Sequence, residues 1–197
     1  MRSAVLLAGG RSTRMGMEKA LASFRGRPLV LWVLDVLSRV GDEVVASVST
    51  TPSDDLVRTL GGSVTIVPDQ RSNMGPVGGL LSSFRMVHGE YVAVAPCDVP
   101  FVQRQLFEVL FAKAEGLAGA IPVVNGFNEP LIAVYHRDLF LEALEKAYDG
   151  GRTKPVDAYP FMDLAFVEDR ELIDAGVSPD AFVNINLVEE LERYNVD

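Results

Sequence analysis

Short apolar runs alternate with longer amphipathic stretches over the first 115 or so residues, and that rhythm predicts an α/β sheet that is mostly parallel. Strands are expected near 3–7, 43–49, 63–67 and 91–95, and helices near 28–40, 53–60, 77–87 and 101–114. In the first of these helices Leu29, Trp32, Val33, Val36, Leu37 and Val40 recur on one face, with Pro28 in the opening turn, so the stripe reads as core. Right-handed crossovers put helices on both faces of such a sheet and gather the loops after the strands along one edge, where open α/β folds bind ligands.

Beyond residue 115 the pattern loosens. Strands are expected at 118–124 and 131–135 around Asn125-Gly126-Phe127-Asn128-Glu129-Pro130, which predicts a small hairpin-like β insertion, followed by a helix near 137–147. Gly150-Gly151-Arg152-Thr153-Lys154-Pro155 reads as a flexible basic loop, ahead of strands near 163–167 and 182–186 and a helix near 188–194. With neither a linker nor a repeat in view, residues 1–197 are expected to form one domain.

Composition narrows the function class. A chain of 197 residues, 48% hydrophobic and 23% charged, can bury a substantial core. Its formal charge of −9 disfavours broad binding to nucleic acid or anionic membranes, so an anionic ligand has to be met locally. The lone cysteine, Cys97, reads as a buried small residue; with no membrane-length apolar run and no signal-peptide pattern, a cytoplasmic location is expected.

Local chemistry is concentrated in two places. The first strand runs into Ala8-Gly9-Gly10-Arg11-Ser12-Thr13-Arg14-Met15-Gly16, with Lys19 just beyond: glycines for close backbone approach and three cations for phosphates. It matches neither the P-loop nor the dinucleotide fingerprint. Lys19 stands out because a flexible ammonium can follow charge building on a departing phosphate. The fourth strand ends at Pro96-Cys97-Asp98, where Asp98 suits a divalent metal or, on the rival reading, caps a helix starting near Pro100. Asp69 closes another strand and suits a base, a ribose, a metal-bound water or a plain turn. In Gly75-Pro76-Val77-Gly78-Gly79-Leu80 the paired glycines cost helix stability and point to a ligand or a close neighbour. Arg152 and Lys154 could grip a second anion, and Asn184 and Asn186 share a strand face, with capping by Asn186 as the alternative. The two histidines, His88 and His136, are too isolated for a zinc site.

In this order the motifs resemble the MobA-type molybdenum cofactor guanylyltransferase family: Leu7-Ala8-Gly9-Gly10-Arg11-Ser12-Thr13-Arg14-Met15-Gly16 with Lys19, Pro68-Asp69, Gly75-Pro76-Val77-Gly78-Gly79-Leu80, Pro96-Cys97-Asp98-Val99-Pro100-Phe101, Glu129-Pro130-Leu131 and Phe182-Val183-Asn184-Ile185-Asn186. The resemblance implies a three-layer, Rossmann-like nucleotidyltransferase fold, with a nucleotide half (about 1–115) and an acceptor half (about 116–197). It implies GTP contacts from Leu7, Ala8, Gly9, Lys19, Asp69 and Asp98, with Mg²⁺ on Asp98; Gly10, Ser12, Gly75 and Gly78 are expected to join the nucleotide contacts, and Lys19, Arg14 and Asp98 to carry catalysis. The acceptor, molybdopterin or its metal-loaded form, is expected against Arg152, Lys154, Asn184 and Asn186. Cofactor-insertion proteins or molybdoenzyme apoproteins are the expected protein partners. The implied reaction transfers GMP from GTP to the acceptor's terminal phosphate. A cytidylyl or sugar-phosphate transferase of the same fold, and a non-catalytic GTP-binding adaptor, are the alternatives. Gly9 supports GTP, because related cytidylyltransferases tend to carry alanine there. The chain departs from the family pattern at Glu129 (often His), Leu187-Val188 (Thr-Pro) and Ser47 (Asn in some members).

Overall fold

The computed structural model describes residues 1–9, 18–69 and 75–185. In chain order the elements are β1 (Arg2–Leu7), β2 (Ser23–Phe24), β3 (Arg27–Pro28), α1 (Leu29–Leu37), β4 (Glu43–Val48), α2 (Asp54–Leu60), β5 (Thr65–Pro68), α3 (Gly75–Phe84), β6 (Tyr91–Pro96), α4 (Arg104–Ala114), β7 (Gly119–Val124), β8 (Phe127–Asn128), β9 (Ala133–His136), α5 (Arg137–Asp149), β10 (Leu164–Glu168) and α6 (Asp169–Asp174). Short 3₁₀ turns cover Lys19–Leu21, Pro155–Phe161 and Pro179–Phe182.

The main sheet has the order β10-β7-β9-β6-β1-β4-β5, with β8 hairpinned onto β7. Strand β9 runs antiparallel to both neighbours, while the β10–β7, β6–β1, β1–β4 and β4–β5 pairs are parallel. The two strands expected around the Asn125–Pro130 turn are β7 and β9, which pair antiparallel; the short β8 adds a hairpin onto β7 whose tip places Asn125 at φ 51° and Gly126 at φ 79°.

Alternation along the strands divides the core in two. Ala4 and Leu6 of β1, Ala46 and Val48 of β4, and Ala93 and Ala95 of β6 pack with α1, α2 and α4 on one face. Val5, Leu7, Val45, Val92 and Val94 point the other way, onto α3 and α5. Because both faces are covered, the central strands read as continuous apolar runs. The outcome is the three-layer sheet with helices on both faces.

Two expectations need correction. The helix placed at 101–114 begins at Arg104, with Gln103 as its cap, so Asp98 is not a helix cap. The strand placed at 182–186 does not form over its described part: Phe182 ends a 3₁₀ turn, and residues 183–185 join no ladder. The Val183 amide closes the 3₁₀ turn on the Asp180 carbonyl at 2.9 Å, and the Ile185 amide reaches the Asp98 carbonyl at 2.8 Å, while the Ile185 side chain is sealed among Ala22, Phe24 and Leu29. The expected helix at 188–194 lies outside the described residues. So do Gly10, Arg11, Ser12, Thr13, Arg14, Met15, Gly16 and Asn186.

Candidate active site

Four strand ends meet in a row at one edge of the sheet. The Ala8 amide donates to the Ser47 carbonyl at 2.8 Å, the Asp69 amide to the Val48 carbonyl at 2.9 Å, and the Cys97 amide to the Leu7 carbonyl at 3.0 Å. These bonds extend the parallel ladder one step past the strands and bring Ala8, Gly9, Ser47, Asp69 and Asp98 onto the same edge. Gly9 lies so close to the end of β4 that an added Cβ would sit 3.3 Å from the Ser49 amide nitrogen. Its missing side chain is therefore used in packing, whatever ligand it also meets.

Lys19 opens the Lys19–Leu21 turn, and its Nζ pairs with Asp98 Oδ2 across 79 positions of sequence. The side chains keep only 15% and 18% of their exposure, so the pair is largely removed from water. The second Asp98 oxygen, Oδ1, is buried and has no hydrogen-bond partner among the described residues. A buried carboxylate oxygen left empty is costly, and a divalent cation at that atom would remove the cost. Among the described residues no group of three metal-ligating side chains is assembled. A single carboxylate nonetheless fits Mg²⁺, which is usually held by one or two carboxylates together with substrate phosphates and water.

Asp69 is half-buried, and its Oδ1 accepts a hydrogen bond from Ser47 Oγ at 3.1 Å. Burial raises its carboxyl above the usual range against the opposing pull of the Ser47 bond. Gly79 explains one of the two helix glycines: a Cβ there would collide with Ser47 Oγ and lie 3.3 Å from Asp69 Oδ1. The helix that carries it can sit on β4 only because the position is bare. Gly78 is buried, and Gly75 begins α3 at φ 57°, a left-handed conformation that favours glycine.

Arg152 and Lys154 are both exposed. Helix α5 starts at the opposite edge, where the Arg137 amide donates to the Glu90 carbonyl at 2.8 Å. Its 13 residues, rising about 1.5 Å each, return the chain to the strand-end edge and deliver these two cations there. The Lys154 amide is tied to Asp157 Oδ2 at 2.9 Å, which fixes the end of the loop. Asn184 is exposed beside Ile185 and so lies one residue from the backbone contact with Asp98.

Two groups at this edge were not recognised as units from the sequence. One is the Ser47–Asp69–Gly79 contact; a small polar residue closing one strand and a carboxylate closing its neighbour was the available signal. The other surrounds Glu129. The Tyr135 hydroxyl donates to the Pro130 carbonyl at 2.7 Å and lies 3.3 Å from the Tyr159 hydroxyl. No sequence spacing links Tyr159 to that pair.

Nucleophilic alternatives find no support. Burial and the neighbouring Asp98 push the Cys97 thiol up to about 12, so it is not ionised at neutral pH. Ser3, Glu43 and His88 come together at the opposite edge, but Ser3 Oγ donates to Glu43 Oε1 at 2.6 Å and accepts from the Gly89 amide at 2.7 Å. This is a clamp on the turn before β6: the fully buried Ser3 hydroxyl is held between the Glu43 carboxylate and the Gly89 amide, away from the strand-end edge.

Comparison with known proteins agrees with this geometry. Residues 4–160 match the MobA-like NTP transferase domain. A probable molybdenum cofactor guanylyltransferase of Methanosarcina acetivorans is 37% identical over 202 residues, covering 97% of this chain and 88% of the relative. Another, from Halalkalibacterium halodurans, is 31% identical, covering 98% and 97%. The solved molybdopterin-guanine dinucleotide biosynthesis protein A of Archaeoglobus fulgidus superposes with a TM-score of 0.80 at 26% identity, covering 99% and 97%. A 4-diphosphocytidyl-2C-methyl-D-erythritol synthase from Anaerococcus prevotii, 14% identical with a TM-score of 0.75 and coverage of 98% and 96%, shares the fold alone. Since the domain match spans both the Lys19–Asp98 pair and the Asp69 edge, and relatives align along nearly the whole length, the chain belongs to the MobA-like NTP transferase family.

Proposed function

We propose that the chain transfers GMP from GTP to the terminal phosphate of molybdopterin or its metal-loaded form. An acceptor phosphate oxygen attacks the α-phosphorus; the new P–O bond forms as the α–β anhydride breaks, and its electron pair leaves on pyrophosphate. The observation that carries this reading is the buried Lys19–Asp98 pair with its empty carboxylate oxygen, at the strand-end edge beside Gly9. The names of the relatives at 37% and 31% identity support the choice of acceptor and of GTP.

No protein nucleophile is needed, because both reacting groups are phosphates and the work is alignment and charge neutralisation. Asp98 Oδ1 would hold Mg²⁺, which supplies positive charge to the phosphates when bound. Lys19 is already desolvated beside Asp98 and is poised to shift its ammonium toward charge developing on pyrophosphate. Ala8 and Gly9 offer bare backbone to the nucleotide, with Leu7, Gly75 and Gly78 alongside. Asp69, held by Ser47, accepts donors from base or ribose. Arg14 joins Lys19 in catalysis, and Gly10 and Ser12 join the nucleotide contacts. Arg152, Lys154, Asn184 and Asn186 receive the acceptor's anionic and polar groups. The nucleotide half, about 1–115, and the acceptor half, about 116–197, act as one domain. Among the described residues no helix is long and apolar enough to cross a membrane; we assign the reaction to the cytoplasm, with cofactor-insertion proteins or molybdoenzyme apoproteins as recipients.

The test is pyrophosphate release and chromatography of the dinucleotide product, with purified protein, Mg²⁺, molybdopterin and either GTP or CTP. Release that requires acceptor, GTP and Mg²⁺ together is expected. Equal turnover with CTP would overturn the base assignment, and GTP binding without turnover would overturn the enzyme.

A further inference from the structure

Glu129 lies on the strand-end side of the sheet, and the proposed reaction leaves it unused. It follows β8 and precedes the reversed strand β9, whose first residue, Ala133, lies opposite Val94 of β6. The segment between therefore extends past the end of β6, on the side of the sheet away from β4 and β5. It is held in place: the Glu129 amide donates to the Pro122 carbonyl at 2.9 Å, the Ile132 amide to the Glu129 carbonyl at 3.2 Å, and Tyr135 grips the Pro130 carbonyl. The Tyr159 hydroxyl, which faces Tyr135, ties this segment to the 3₁₀ turn after the Arg152–Lys154 loop.

The carboxylate on this braced segment is half-buried, and among the described residues no cation or hydrogen-bond donor is paired with it. Burial pushes its carboxyl above its ordinary value. A carboxylate in that condition suits a ligand that brings two adjacent N–H donors, because both oxygens are then satisfied at once. A 2-amino-4-oxopyrimidine edge has that shape, and it occurs both in a pterin and in the guanine of GTP. Sheet spacing separates the two sources. Four strand-to-strand steps lie between β9 and β5, which at about 4.8 Å each put Glu129 about 19 Å from the strand that ends in Asp69. Asp98, where the phosphates would meet, lies between them. One guanine cannot serve both carboxylates.

We propose that Glu129 recognises the acceptor, accepting the paired ring N–H and amino donors of its pterin edge through its two carboxylate oxygens. This inference rests on the proposed reaction and names the part of the acceptor that it touches.

Fluorescence titration of the full chain with 6-hydroxymethylpterin and 6-hydroxymethyllumazine tests it. The lumazine carries a carbonyl where the pterin has its amino group. Wild-type protein should bind the pterin about 10-fold or more tightly, as expected when a polar group built to receive a donor meets a ligand lacking it. Glu129→Gln, checked for native circular dichroism, should reverse the preference, since the amide donates to the lumazine carbonyl while still accepting its ring N–H. The discrimination between GTP and ITP should stay as in wild type. Equal wild-type affinities, no binding of either probe, or a wild-type preference that survives Glu129→Gln would each overturn the inference. A changed GTP/ITP ratio in that variant would reassign the edge to guanine and also overturn it. Turnover with molybdopterin, measured in parallel, judges the reaction separately. Turnover without pterin preference sinks Glu129 alone; pterin preference without turnover sinks the reaction and leaves the recognition in place.

Discussion

Removing the Lys19 ammonium while keeping its aliphatic bulk, as in Lys19→Met, would leave both Asp98 oxygens without a partner among the described residues. Breaking a fully buried ion pair on one side costs about 3–5 kcal/mol, mostly because the remaining charge is stranded. Here the side chains keep 15% and 18% exposure, so water can reach part of the stranded carboxylate, and we expect a loss of about 2 kcal/mol. Asp98→Asn removes the carboxylate that faces the Lys19 ammonium, and a loss of about 1–2 kcal/mol is expected. The double variant has no unpaired charge, so it should be less destabilised than the sum by about 1–2 kcal/mol. Urea denaturation of the four proteins without nucleotide or metal gives each number. Additive losses, or a Lys19→Met variant as stable as wild type, would refute the buried pairing. The same variant separates packing from chemistry: if Lys19 stabilises charge on pyrophosphate, turnover falls on the order of 100-fold, the loss expected for one charge-assisted contact.

Other consequences can be checked alongside. Gly79→Ala gains about 1 kcal/mol of helix propensity but drives a methyl into Ser47 Oγ, so a net loss of about 1 kcal/mol and weaker GTP binding are expected by denaturation and calorimetry; unchanged nucleotide affinity would contradict the contact. Asp69 is raised by burial, so its favourable contribution is complete below the ordinary carboxylate range and is lost as pH climbs through its folded value. Asp69→Asn should therefore be more stable than wild type at pH 7, by less than about 1 kcal/mol, and the difference should vanish near pH 3. Cys97, with its thiol pushed up to about 12, should resist iodoacetamide at pH 8 and be labelled fully in urea, as mass spectrometry would show. Tyr135→Phe leaves the Pro130 carbonyl short of a donor and should cost about 1–2 kcal/mol in the same denaturation assay.

How far the sequence could be read depended on the range of the interaction. Strands β1, β4 and β6 were legible because each is buried on both faces, and the resulting Val- and Ala-rich runs have no helical alternative of that length. Asp98 was legible as a carboxylate at a strand end, but its choice between metal site and helix cap was not. That choice turned on whether α4 starts at residue 101 or 104, a boundary set by tertiary packing. The 182–186 stretch was misread because its alternation mimics a strand, whereas the bond from Ile185 to Asp98 is a single tether with no ladder. The bracing of Glu129 by Tyr135 and Tyr159 was illegible for a simpler reason: hydroxyl contacts across 24 residues leave no periodic trace.

The reversed strand β9 has an architectural corollary. In an all-parallel sheet every segment on the ligand edge leaves a strand, and lengthening one shifts the entry of the helix behind it. At β9 the chain instead arrives from that edge, through the short turn that carries Glu129, so this turn can be recut without displacing a helix. Under the proposed reaction, a grafted 125–132 turn is then a way to change what receives the nucleotide while leaving the nucleotide itself alone.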